Sequence, residues 1–176
     1  MTLQIAILED NADRRSAMET RLSDRFPQYP RHFFAEAQPM IDWLTQHLEE
    51  VIVISLDHDL DLVPGESGRF IDSGTGRDVA DFLAQHAPCC PVVLHTTNQP
   101  AAQGMEMVLV DAGWHVRRVS PYGDMEWIDE VWFPTIRNQI VESATSASPG
   151  RLESPTLHSI AVEIVPLATS GTDTSH

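Results

Sequence analysis

The stretch VIVISL at 51–56, running straight into DHDLD, constrains the fold of this chain more than any other segment. Five of its six residues are apolar and four are β-branched, so it reads as a strand with no wet face. Such a strand belongs at the centre of a parallel sheet that carries helices on both sides. Its abrupt end in Asp57, His58, Asp59 and Asp61 also puts negative charge where a buried strand leaves the core.

The rest of the chain supplies neighbours for that strand. Apolar runs at 3–8, 32–35, 91–94 and 114–119 predict four more strands. Helices are expected between them: one reaching Phe26 after a cap at Asp10, Asn11 or Asp13, and one starting near Pro39 through Ile41, Leu44 and Leu48. Others follow at 77–86, at 103–112 with Gly113 as C-cap, and at 125–140, where Pro134 predicts a kink or a broken pair of helices. The alternation defines an α/β fold: a doubly wound, five-stranded parallel sheet with helices on both faces.

Residues 65–76 contain Gly65, Gly68, Gly74 and Gly76 and read as a long irregular loop, which is uncommon without a function. From 143 to 155 the composition turns to Ser, Ala, Thr, Gly and Pro, with little to bury. The expected organisation is therefore one domain at 1–142 and a flexible linker and tail at 143–176. Within the tail, IAVEIVPL at 160–167 is a candidate extra edge strand.

Charge and cysteines narrow the function. Acidic residues outnumber basic ones 26 to 11, for a formal charge of -15, with no basic patch to meet a duplex nucleic acid. Cys89 and Cys90 are adjacent and flanked by prolines, a pattern that suits neither a disulfide framework nor a metal knuckle. No apolar run approaches the roughly 20 residues that span a bilayer. A reduced, cytoplasmic protein with no membrane partner is expected.

In doubly wound sheets ligands bind outside the carboxyl ends of the strands. That rule gathers Glu9, Asp10, the aspartates 57–61, the segment HTTN at 95–98 and Ser120-Pro121 into one neighbourhood. Clustered carboxylates raise one another's pKa unless a cation joins them, and oxygen ligands favour hard ions such as Mg²⁺, Mn²⁺ or Ca²⁺. Asp57 and, if the strand persists, Asp59 would share one side, with His58 facing away. Thr96, Thr97 and Asn98 could donate to phosphate oxygens, and His95 could serve as acid or base. Against each stands a plainer role: caps and turns for Asp10, Asp59 and Asp61, and a backbone hydrogen bond for the histidines.

ILEDNADRR at the start, Asp57 after the third strand, Thr96 after the fourth and Pro121 after the fifth resemble the receiver domains of two-component response regulators. The resemblance covers 3–140 and implies a receiver or flavodoxin-like fold, Mg²⁺ (or Mn²⁺) held with the help of Glu9 and Asp10, a phosphoryl group accepted by Asp57, and a contact from Thr96. Ser120 stands where receivers carry a lysine. SLDHDLD and LHTTN are more specifically similar to the cyclic-phosphate processing receiver domains. That likeness implies metal-dependent hydrolysis or processing of a cyclic phosphate, with the ion held by Asp10, Asp57 and Asp59, with His95, Asp57 and Asp59 catalytic, and with Thr96 and Asn98 steadying the phosphate. The partner would be a phosphate-containing small molecule. The alternatives are a phosphoacceptor receiver served by a kinase or other protein partner, and a degenerate receiver acting as an interaction module.

Overall fold

The computed structural model describes residues 2–64 and 70–146. Five parallel strands form one sheet: β1 (Gln4–Leu8), β2 (Arg31–Phe34), β3 (Val51–Leu56), β6 (Val92–His95) and β7 (Val116–Val119). Their order is β2-β1-β3-β6-β7, so the chain steps outward to one edge, returns past β1 and continues to the other. The order changes direction between β1 and β3, where Ile5 is registered with Val53 and Leu8 with Leu56. All six residues of β3 are buried, as its lack of alternation demands. Each large aliphatic side chain so placed contributes about 1.5–3 kcal/mol over an exposed one.

Two apolar layers cover the sheet. Helices α2 (Ala37–His47), α3 (Gly76–Leu83) and α4 (Gln99–Asp111) pack Met40, Leu44, Val79, Leu83, Met105 and Leu109 against Ile54, Leu56 and Leu94. On the other face α1 (Ala12–Arg25) and α5 (Phe133–Ser146) bring Met18, Leu22, Ile136 and Ile140 onto Ile5, Ile7, Val53 and Val93. Trp127 and Trp132, either side of the start of a π-helical turn at Ile128–Trp132, complete that second layer.

Some boundaries differ from the sequence reading for physical reasons. Pro134 is the second residue of α5, and a π-helical turn stands directly ahead of it, so the helical run is interrupted just before the proline. The helix begun by Asn98 starts at Gln99 rather than 103, because Pro100 is tolerated in a first turn. Trp114 is buried ahead of β7 instead of inside it, its indole donating to the Leu83 carbonyl at 3.0 Å. Gly113 takes φ +89° just beyond α4, as a C-terminal glycine should.

The glycine-containing stretch is not wholly irregular. Its described ends pair as a short antiparallel hairpin, β4 (Val63–Pro64) with β5 (Phe70–Ile71), and Asp59 bridges Thr75. The final helix runs to Ser146, past residue 142. The candidate strand at 160–167 lies outside the described residues. Among those that are described, no helix is long and apolar enough to cross a membrane.

Candidate functional site

Strand alternation explains which side chains meet. Ile5 and Ile7 face the α1/α5 layer, so Glu9, two residues on, points to the same side; Val53, Ser55 and Asp57 follow one another likewise, as do Val93 and His95. Glu9, Asp57 and His95 therefore converge at the carboxyl ends of β1, β3 and β6, astride the point where strand order reverses. One ligand atom from each lies within 4.8 Å of the others, and all three residues are buried.

The environment of each group is defined. Ser55 sits 2.8 Å from His95 Nδ1 and accepts a hydrogen bond from the Trp132 indole at 3.0 Å. That pair occupies Nδ1 and leaves Nε2 facing Glu9 Oε2 at 3.4 Å. Both Nε2 and Oε2 are buried and without a hydrogen-bond partner among the described residues. Burial works to raise the Glu9 carboxyl, but His95, the Asn11 N–H and Arg14 together bring it below its ordinary value. Asp57 moves the other way: burial, with the charges of Glu9 and Asp10, raises it to about 6 despite His95 and the His58 N–H.

Two carboxylates and an imidazole, buried with their ligand atoms within 4.8 Å of one another, are a fitting donor set for a divalent cation, since clustered buried carboxylates cost stability unless a cation joins them. Glu9, Asp57 and His95 could hold one.

A cavity of about 190 Å³ opens above this cluster, lined by Arg14, Asp57, Asp59, His95, Thr96, Thr97 and Pro121. Other sequence-identified residues lie around it in distinct roles. Asp10 Oδ2 accepts from the Asp61 N–H at 2.5 Å and so ties the loop after β3 to the end of β1. Asp59 is outside the buried cluster because β3 stops at Leu56; its Oδ1 is 2.8 Å from His58 Nδ1 and accepts from Asn98 Nδ2 at 3.3 Å. The Asn98 side-chain oxygen caps α4 through the Ala101 N–H. Thr96 is buried, and its hydroxyl accepts from the Asn98 N–H at 3.1 Å. Ser120 does not line the cavity: its hydroxyl takes a hydrogen bond from Gln99.

Sequence reasoning passed over three residues that shape the site: Ser55, Trp132 and Arg14. A lone serine inside an apolar strand was the available signal for Ser55, since a buried hydroxyl needs partners. Nothing local marked Arg14 or Trp132, because their relation to the cluster exists only across the packed layer.

Sheet order, helical layers and an acidic cluster at the switch point define a receiver-type α/β domain. Residues 6–111 match the family described as cyclic-phosphate processing receiver domain. The match spans more than half of the chain, which belongs to that family. Solved structures share the fold at low identity. The signal receiver domain of a LuxO-type repressor protein from Vibrio parahaemolyticus is 12% identical, with 84% of this chain and 96% of that one covered and a TM-score of 0.59. The phosphorylated cyanobacterial phytochrome response regulator RcpA is 13% identical, covering 81% and 96%, with a TM-score of 0.61. The Mn²⁺-bound form of response regulator Rcp1 is 15% identical, covering 77% and 90%, with a TM-score of 0.53. No curated protein matches the sequence.

Proposed function

We propose that this domain takes a phosphoryl group at Asp57 in a divalent-cation-dependent manner and signals through a partner protein. The observation that carries the reading is Asp57 itself: a buried carboxylate at the end of β3, beside Glu9 across the switch point, open to a cavity of about 190 Å³. Its pKa near 6 leaves it ionised at neutral pH yet more basic than an ordinary aspartate, which suits a nucleophile. Asp57 Oδ attacks the phosphorus of a donor, an acyl phosphate or a kinase phosphohistidine. The bond from phosphorus to the donor breaks, and the leaving group departs with its electron pair.

Mg²⁺ or Mn²⁺, held by Glu9 and Asp57, would neutralise charge on the phosphoryl oxygens. Thr96 and Thr97, just past the end of β6, line the same cavity, and Asp10 keeps the loop after β3 in place. His95, the third member of the cluster, is buried with its Nε2 3.4 Å from Glu9 Oε2, where it orients Glu9. RcpA in its phosphorylated form and Rcp1 with Mn²⁺ share this fold, which supports the reading by analogy.

The family match favours a second reading, processing of a cyclic phosphate. In it Asp59, which lines the cavity and accepts a hydrogen bond from Asn98, contacts the substrate together with Asn98, and His95 moves a proton.

One experiment separates them. Purified protein is incubated with Mg²⁺ or Mn²⁺ and acetyl phosphate, and in parallel with a panel of cyclic nucleotides, as wild type, Asp57→Asn and His95→Ala. A phosphoryl adduct on wild type that is absent in Asp57→Asn is the expected result. Cyclic-phosphate turnover abolished by both substitutions would establish the second reading instead. Absence of both signals and of metal binding would refute both and leave an interaction module.

A further inference from the structure

We infer that Arg14 is the residue that grips the phosphate oxygens in this cavity, supplying from the first turn of α1 the positive charge that Ser120 does not supply from the end of β7. The inference rests on the phosphate site proposed above and holds for either reaction at it.

Among the described residues, Arg14 is the only lysine or arginine lining the cavity. Its Nη1 stands 3.7 Å from Glu9 Oε1 and 3.7 Å from Asp57 Oδ2, inside ion-pair range of both but too far for a hydrogen bond to either. The guanidinium, about one-third exposed, thus brings its N–H fork to the cavity without spending it on the carboxylates. Other described arginines are engaged elsewhere. Arg15 donates to the carbonyls of Glu9 and Asp10, Arg77 to Asp81, and Arg118 to Glu106 and Gln99.

Arg14 is also held in place. Its backbone N–H donates to the Asn11 side chain at the cap of α1, and its guanidinium carbon lies 5.8 Å from the Trp127 ring centroid. Trp127 in turn stacks on His95 at 5.9 Å, so the cation and the buried cluster share one aromatic wall. A fixed planar fork beside a small polar cavity is the geometry that recognises a tetrahedral oxyanion. Beneath it Glu9 Oε2 and His95 Nε2, both buried, face each other at 3.4 Å.

The test is calorimetric binding of inorganic phosphate in saturating Mg²⁺, with Mg²⁺ binding alone as a second readout, for wild type, Arg14→Gln and Arg14→Lys. Loss of a charged two-point contact predicts phosphate affinity about 10- to 100-fold weaker in Arg14→Gln. Arg14→Lys should fall between, because it keeps the charge and loses the fork. Mg²⁺ affinity of Arg14→Gln should hold or improve, since a like charge is removed beside the cation. Unchanged phosphate affinity in Arg14→Gln overturns the inference alone, and so does an equal fall in Mg²⁺ affinity, which would assign Arg14 a structural role. Wild-type protein that binds no phosphate overturns it together with the proposed function.

Discussion

Replacing Asp57 with asparagine should stabilise the metal-free protein at neutral pH, although the residue lies at the centre of the site. The carboxyl is 5% exposed and its pKa rises from 3.8 to about 6 on folding, with burial as the leading cause. Between those values the folded state keeps a proton that the unfolded chain has released, so stability falls as pH rises through the window. Below 3.8 both states are protonated and the penalty vanishes; above about 6 it is complete. At about 1.4 kcal/mol per pKa unit it amounts to ~3 kcal/mol, an upper value for what the substitution returns. Asparagine keeps an acceptor for the His58 N–H, which donates to Asp57 Oδ1 at 2.6 Å, and carries no charge. For a domain of this size the gain corresponds to a Tm rise on the order of 5–10 °C. The assay is thermal unfolding of both proteins in chelator from pH 4 to 8. The difference should be near zero at the acid end and grow through pH 6, and Mg²⁺ should then narrow it by stabilising wild type alone. A difference that does not change with pH, or a less stable variant at pH 8, would refute the reasoning.

Three further outcomes follow from the same geometry. Ser55→Ala strands His95 Nδ1 and the Trp132 indole in the core, so urea unfolding should show a loss of about 1–3 kcal/mol; an unchanged midpoint would mean the hydroxyl is idle. Gly76→Ala would put a Cβ 2.0 Å from the Asp57 carbonyl oxygen, a backbone atom that cannot step aside, so a loss of about 2 kcal/mol or more is expected in the same assay, and wild-type stability would contradict the packing. Glu9→Gln removes one of the two buried carboxylates of the cluster and should weaken Mn²⁺ binding at least about tenfold by electron paramagnetic resonance, where equal affinity would move the cation elsewhere.

Much of this was legible in the chain itself. VIVISL announces a doubly covered strand because burial on both faces leaves no room for alternation, and β3 occupies those same residues, Val51–Leu56. The acids and HTTN belong to one neighbourhood because parallel strands present their carboxyl ends together. Pro134 marks an irregularity in the last helix because proline lacks the N–H, but only the packed structure sets its form, the π turn at Ile128–Trp132. The separation of Asp59 from Asp57 depended on where β3 stops, which pairing with β1 and β6 decides.

The sequence by itself determined the class of fold, the acidic character of the site and the strand ends that carry it, because these follow from local pattern and period. Only the tertiary structure decided that Glu9 and His95 rather than Asp10 and Asp59 share the buried cluster with Asp57. It alone set Ser55 and Trp132 behind His95 and brought Arg14 to the cavity. Such contacts join residues dozens of positions apart, and their distances are fixed by how helices and sheet pack, a quantity no local pattern encodes.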